Sequence, residues 1–404
     1  MERSRRNLLT AWLALVLAAS NSSVRAADTV TLGTSLQLTG ALANTGRTYR
    51  DAYQFAIDTI NEKGGVPIGN KSYKFALKLV DNKSDVNLGA KQQTDLAAKK
   101  RVNFLLAPFA SNHVMATATI AEKYQMPMVQ AGGASSRIFT RGYKYVFGTL
   151  PLADDYFRST IDMFGQLTPK PKTVGLVSGD DVFDAALSGA TSALLKAAGL
   201  QVILDQQYSE RIPNFYNILT LIESRTPDVI LWSGHEAGAI DFIRMSKSRD
   251  ISPKLMASFT VGVPSASFRN ALRADANYAF GMTPWLPSER LTDQWFGNAK
   301  AFASTYEAKF HYSPDYHAAA AVAAVESFAK ALQAAGTLEP NAVRDAIAKA
   351  DFESVYGRIR FGEDGQIALP QIVIQIQDGK VMEIFNDKLI NPPLYPVPPW
   401  DKRL

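Results

Sequence analysis

The chain has 404 residues, 43 of them basic and 38 acidic, for a formal charge of +5; it is 47% hydrophobic and contains four His and no Cys. That length suffices for two domains with cores of their own, and without Cys those cores, not disulfides, must hold the fold. Residues 1–26 carry four Arg and one Glu, so the charge of the remainder falls to +2, and nothing in it suggests the basic surface of a nucleic-acid partner.

The chain opens on an export signal. Arg3, Arg5 and Arg6 form a basic head, Leu8–Ala19 an apolar stretch too short for a membrane span, and Val24-Arg25-Ala26 a small-residue cleavage site. Ser4-Arg5-Arg6-Asn7-Leu8-Leu9 also resembles a twin-arginine signal, with general secretion the preferred reading. No Cys stands at the cleavage site, which excludes a lipid-anchored lipoprotein.

Strands and helices then alternate. Thr29–Ser35 reads as a strand ending in the polar loop Leu36–Gly40. Gly46–Glu62 is helical, with Tyr53, Ala56, Ile57 and Ile60 on one face, and stops at Gly64-Gly65. Tyr73–Asp81 is a strand and Val86–Lys99 a helix. Asn103–Ala107 is a short buried strand broken by Pro108; Ser111 is read as the cap of a helix reaching about Tyr124. Pro127–Gln130 is a further strand, ending in Gly132-Gly133-Ala134-Ser135-Ser136. This alternation over 29–149 predicts a doubly wound parallel sheet. The loops Phe109–Asn112 and Gly132–Ser136 follow strand carboxyl ends, the edge where such sheets bind ligands, and are read as leading into helices whose N-termini attract anions. A site for a small polar or carboxylate ligand is expected there, built without catalytic side chains.

After Thr149-Leu150-Pro151 the alternation restarts. Strands are expected at Thr173–Ser178, Gln201–Gln206, Asp228–Trp232 and Lys254–Ser258, and helices at Asp184–Ala198, Phe215–Ser224 and Glu236–Ser246. Asn277–Thr283 is read as a crossing back, followed by helices at Leu291–Phe310, Asp315–Ala335 (Ala-rich and buried) and Asn341–Ala350. Gly357–Phe361 is read as a third crossing, before a hairpin of Gln371–Gln377 with Lys380–Phe385. The Pro-rich tail NPPLYPVPPW forms no regular element.

Signatures of catalysis are missing: there is no GxSxG elbow and no HExxH pair. Four His without Cys make a transition-metal site an unsupported reading. Gly64 to Ser72 comes near a P-loop but has an extra Asn and lies between a helix and a strand, the wrong order. Asp81, Asp85 and Asn87 resemble a calcium loop without its Gly and closing Glu. Asp180, Asp181 and Asp184 read as loop and cap residues rather than an acid–base pair.

The ordered set LQLTGALANTG, INEKGGVPIG, LKLVDNKSD and APFASNHVMATATIAEKYQMPMVQAGGASS resembles the leucine/branched-chain amino-acid type of periplasmic solute-binding protein, the receptors of ABC importers. The resemblance covers the mature chain. It implies an α/β protein of two doubly wound lobes joined by a three-stranded hinge, the type I periplasmic binding protein fold. The lobes would be residues 27–149 with 282–359, and 150–281 with 360–404, able to close over a ligand. It also implies a periplasmic location, a small-molecule solute, membrane ABC permease subunits as partners, a monomer, and neither cofactor, metal nor enzyme activity.

On the same resemblance the Ser111 hydroxyl, the Ala134 backbone N–H and the Ser135 hydroxyl would meet a ligand carboxylate. Phe183 stands where amino-acid binders offer Tyr; His235 and Phe259 follow strands of the second lobe, and Trp285 is fixed between Pro284 and Pro287. With Phe109 and Tyr156 they would wall an aromatic pocket. Amino-acid receptors place an acid in the last of these loops to pair the α-ammonium, whereas residues 257–261 here read Ala-Ser-Phe-Thr-Val. An ammonium buried without a partner is costly. A non-amino organic acid is therefore expected first, a hydrophobic amino acid paired by Glu236 second, and an amide or urea third. A ligand-sensing module of the same fold is the alternative, disfavoured because the chain ends at Leu404 with no transmembrane or DNA-binding segment. A dehydrogenase is disfavoured because Gly33–Thr39 reads GTSLQLT, without GxGxxG.

Overall fold

The computed structural model describes residues 28–403; the expected export signal lies outside them. The first sheet has six strands: β1 (Asp28–Leu36), β2 (Val66–Ile68), β3 (Lys71–Asp81), β4 (Phe104–Leu106), β5 (Met128–Gln130) and β6 (Val146–Gly148). They lie in the order β2-β3-β1-β4-β5-β6, parallel except for the short hairpin strand β2. The helix Ala43–Glu62 packs on this sheet because Tyr49, Ala52, Tyr53, Ala56, Ile57 and Ile60 recur at helical spacing and are buried together. It stops where Gly64 and Gly65 adopt positive φ, and a Cβ on Gly65 would meet the Tyr73 carbonyl at 2.2 Å.

A second sheet is built from β7 (Thr173–Ser178), β8 (Gln201–Gln207), β9 (Val229–Ser233), β10 (Met256–Phe259) and β11 (Phe280–Thr283), all parallel, in the order β8-β7-β9-β10-β11. After two short hairpins, β12 with β13 (Thr292–Asp293, Gly297–Asn298) and β14 with β15 (Asp351–Ser354, Gly357–Arg360), the chain returns to extend this sheet. It does so antiparallel, with β16 (Ile372–Gln377), β17 (Lys380–Asn386) and β18 (Lys388–Leu389).

The helix Tyr316–Ala335 belongs with the first sheet, packing on the Ala43–Glu62 helix and on β2 and β5. Nearly its whole circumference is buried, which its Ala-rich sequence permits because small side chains let neighbouring backbones approach. Asp315 caps it, accepting from the N–H groups of His317 and Ala318, and Gly336 closes it in the left-handed region.

Two connections differ from expectation. The segment Phe280–Thr283 does not cross; it is an inner strand of the second sheet between β10 and β16. The chain leaves after Thr283, where Pro284 and Pro287 offer no N–H to prolong a ladder. Gly357–Arg360 turns back on Asp351–Ser354, with Val355, Tyr356 and Ile359 buried in the large core cluster. The return to the second sheet follows, along residues 361–371, where Gly148 N–H donates to Gly365 O and Ile367 N–H to Gly148 O. A further difference is local: Gly132–Ser136 leads only into a single 3-10 turn, Ser136–Ile138, so no long helix dipole points from that loop.

Candidate functional site

The carboxyl ends of β4 and β5 face those of β7, β9 and β10 across a cleft holding a small, partly open cavity. Phe109, Ala110, Ser111, Gly132, Ala134 and Leu150 line it from the first sheet's loops, and Tyr156, Phe183, His235 and Val261 from the other side. Tyr316 and His317, at the capped start of the buried helix, complete the wall.

The first-sheet loops are held tightly. The Gln37 amide brackets Phe109, donating to its carbonyl at 2.7 Å and accepting from its N–H at 3.1 Å. Ala110 is forced to φ 68°, an unfavourable region for a side-chain-bearing residue. Gly132 is required where the loops meet, since a Cβ there would stand 2.5 Å from the Pro108 carbonyl. Ser111 is not the helix cap; it is the first helical residue, and Ala110 occupies the cap position. The Ser111 Oγ accepts from the N–H groups of both Ala134 and Ser135 at 3.1 Å. The Ala134 N–H is thus engaged by protein, while the Ser111 hydroxyl proton is left for another acceptor. The Ser135 Oγ is buried and has no partner.

On the opposite side Asp181 caps the helix Val182–Ala197, accepting from the N–H groups of Phe183 and Asp184. Its Oδ2 also lies 2.8 Å from His235 Nε2. The His235 backbone N–H donates to Glu210 Oε1, which also accepts from Tyr208 OH. Burial alone would strip the imidazole of its proton, but the Asp181 hydrogen bond and charge, with Glu210 and Asp184 behind it, hold its pKa at about 10. Burial works against the Asp181 charge too, yet the His235 partner brings that carboxyl down to about 2. Asp184, buried beside Asp181, is pushed well up by burial and then by the Asp181 charge. A chain of ring contacts connects the walls: Tyr156 edge-on to Phe183 at 5.7 Å, Phe183 stacked on His235 at 6.0 Å, His235 on Phe109 at 5.6 Å, and Phe109 on His317 at 5.5 Å. No Asp or Glu lines the cavity. Among the described residues no cluster of three or more His, Asp or Glu is placed to hold a metal ion.

Two parallel sheets meeting at their carboxyl edges over such a cavity suit a solute receptor, and residues 29–380 match the family described as periplasmic binding protein. The chain belongs to the periplasmic binding protein family. It is 22% identical over 406 aligned residues to the Leu/Ile/Val-binding protein homolog 8 of Brucella suis, spanning 95% of this chain and 97% of the relative. Its fold is that of the isoleucine complex of LivJ, a branched-chain amino acid transporter substrate binding protein from Streptococcus pneumoniae. The TM-score is 0.78 at 21% identity, covering 90% of this chain and all of the other. The solute binding protein of a Rhodopseudomonas palustris ABC transporter, in complex with benzoate, is similar at TM-score 0.76 and 18% identity, over 88% of this chain and 95% of that one.

In this periplasmic binding protein the cleft gathers five of the eight expected site residues, Phe109, Ser111, Ala134, Phe183 and His235, around one cavity, with Ser135 buried just behind. The other two lie elsewhere. Phe259 packs against Trp232 and Phe242 in the second core and lines a separate apolar cavity under the C-terminal segment. As the last residue of β10 its side chain falls on the face covered by the Glu236–Ser248 helix, the face opposite to that of Ser258. Trp285 lies in the first core, its indole N–H donating to the Val355 carbonyl at 2.7 Å and its ring edge-on to Phe302. The prolines around it set a turn, closed by Thr283 Oγ1, that tucks the ring under the connection. Sequence reasoning missed Tyr316, His317, Leu150 and Val261. Two large polar rings at the Asp-capped start of an otherwise Ala-rich helix were the available signal for Tyr316 and His317.

Proposed function

We propose that this protein is the periplasmic substrate-binding component of an ABC importer of the branched-chain amino acid type. Its solute is a small carboxylate-containing molecule, an aromatic or aliphatic organic acid, delivered to membrane permease subunits without being turned over. The two lobes, residues 27–149 with 282–359 and 150–281 with 360–404, close about connections that follow Gly148, Thr283 and Phe361. The observation carrying this reading is the make-up of the cavity: aromatic rings, a hydroxyl donor and an imidazole, with no carboxylate in the wall. Apolar rings accept the solute's body, and Ser111 and His235 offer donors to its carboxylate. An α-ammonium buried there would find no anion in the wall. Neighbours of the same fold lend support: one is in complex with benzoate and another with 3,4-dihydroxy benzoic acid.

One observation favours a second reading, a hydrophobic amino acid. Glu236 begins the helix behind His235, and while its Oε2 accepts from Ser265 at 2.6 Å, its buried Oε1 has no partner. Relatives named Leu/Ile/Val-binding protein homologs agree with it. A thermal-shift panel of aromatic and aliphatic carboxylates, amino acids and amides decides. A solute at a hundred times its dissociation constant adds about 2.7 kcal/mol of stability. Shifts with acids alone are expected; shifts with leucine and isoleucine alone would transfer the function to the second reading.

A further inference from the structure

Among the rings that line the cavity, His235 keeps a buried nitrogen without a partner. His235 is only 8% exposed, its Nε2 is committed to Asp181, and its Nδ1 is buried without a partner. The ring itself forms part of the cavity wall, between Phe183 and Phe109. A neutral imidazole donating from Nε2 to Asp181 would present Nδ1 as an acceptor, which repels a carboxylate; an imidazolium presents an N–H.

We propose that His235 is the specificity-determining anion receptor of the cleft, fixed by Asp181 as an imidazolium whose free Nδ1–H donates to the carboxylate of the solute. This rests on the solute reading above and extends it, assigning the charge that selects an acid over an amide or an amine. Asp181 is a positioning residue, since it acts on the ligand only through the ring. The groups facing that ring are consistent with the assignment. Asp181, Asp184 and Glu210 present their acidic groups from behind it and favour its charge. His113, on the Ser111–Lys123 helix, is a second imidazole whose charge would oppose that of His235. Burial first, and then the His235 charge, press His113 down to about 4, so it is neutral at physiological pH. Asp315 and His317, at the far wall, are hydrogen-bonded to each other at 3.2 Å.

While His235 stays charged, carboxylate affinity is flat through neutral pH and falls only as pH rises toward about 10. Removing the Asp181 charge leaves burial to press the pKa of the ring down, so that Asp181→Asn holds a neutral imidazole by about pH 8 and loses carboxylate affinity there. Asn replaces Asp at a helix cap with little loss, so Asp181→Asn keeps the helix start intact.

The test uses the mature protein, benzoate and benzamide as probes, and calorimetry at about pH 6 and 8. Wild type should bind benzoate equally at both and prefer it to benzamide. His235→Gln should lose benzoate affinity about tenfold or more while its benzamide affinity changes little, since a charged hydrogen bond is lost. Asp181→Asn should bind benzoate about tenfold more weakly than wild type at about pH 8. Nitrogen-15 spectra of the histidine-labelled wild type at about pH 8, with His235→Gln for assignment, should show both His235 nitrogens protonated. A neutral His235 in that spectrum overturns the proposal whatever binds. So does benzoate binding that His235→Gln retains, or wild-type benzoate affinity in Asp181→Asn at about pH 8. If His235 is charged but the wild type takes only amino acids, the solute reading fails and the proposal, which extends it, falls with it.

Discussion

Ser111 shows how a single side chain serves both structure and ligand. Its oxygen holds two buried N–H groups, from Ala134 and Ser135, and leaves its own proton free toward the cavity. Ser111→Ala strands both donors, at about 1–3 kcal/mol for a buried unsatisfied group. Denaturant unfolding should therefore show a loss of that order, and calorimetry a fall in carboxylate affinity of about tenfold. Loss of stability with unchanged affinity would limit Ser111 to scaffolding. Glu326 presents a different case, in the middle of the buried helix. Both its oxygens are buried and lack a partner in hydrogen-bonding geometry, and burial, then the Asp293 charge, pushes its pKa well up. The folded state thus keeps a proton that the unfolded chain releases near the ordinary carboxyl value. Its contribution to stability is full below that value and lost as pH rises. Glu326→Gln, neutral at every pH, should gain stability relative to wild type as pH is raised above about 5, read as a growing difference in melting temperature. A constant difference would show that Glu326 is charged in the fold. At this scale the sequence was legible where residues sit in loops after strands, as with Ser111, Phe183 and His235. It was not legible where facing depends on strand parity or on a turn's path: Phe259 and Trp285 point into cores.

At the scale of elements, hydrophobic periodicity located the longer strands and most helices to within a few residues, because core-facing stripes set them; it left out short strands such as Val66–Ile68 and Val146–Gly148, and the helix expected over Leu291–Phe310 starts only at Ala299, after the Thr292–Asp293 and Gly297–Asn298 hairpin. The short helices Arg158–Phe164 and Ala266–Leu272 left too little periodic pattern to read. The connections were misplaced for a related reason: Gly357–Arg360 and Phe280–Thr283 have strand-like sequences, and only pairing partners tell a sheet strand from a crossing. The Pro-rich tail lacks regular structure up to a 3-10 turn at Trp400–Lys402, yet it is an anchor. The Val397 N–H donates to the Leu255 carbonyl, and the Trp400 indole N–H to that of Ile251, over the apolar cavity lined by Met256 and Phe259. Ending the chain before Val397 should cost about 2–4 kcal/mol through lost apolar burial and hydrogen bonds. It should also raise the binding of a hydrophobic dye. Unchanged unfolding and dye binding would mean that the tail lies on the second sheet without supporting it.

At the scale of the whole molecule, two sheets present their carboxyl edges to each other, and the cavity exists only where they meet. The first sheet contributes loops fixed by Gln37, Gly132 and Ser111; the second contributes rings and an imidazole fixed by Asp181. Each half is incomplete as a site, so binding and closure are one event in this account. No helix among the described residues is long and apolar enough to cross a membrane. On this reading the cleft accepts a carboxylate and has no place for an ammonium, a preference set by its wall. It is tested most directly by calorimetric titration of the mature protein with a matched pair, leucine and isocaproate, which is leucine without its ammonium group. The account predicts that isocaproate binds and that leucine binds at least about tenfold more weakly, because the buried ammonium gains no partner. Leucine binding more tightly than isocaproate would contradict it and assign the free oxygen of Glu236 to the ammonium.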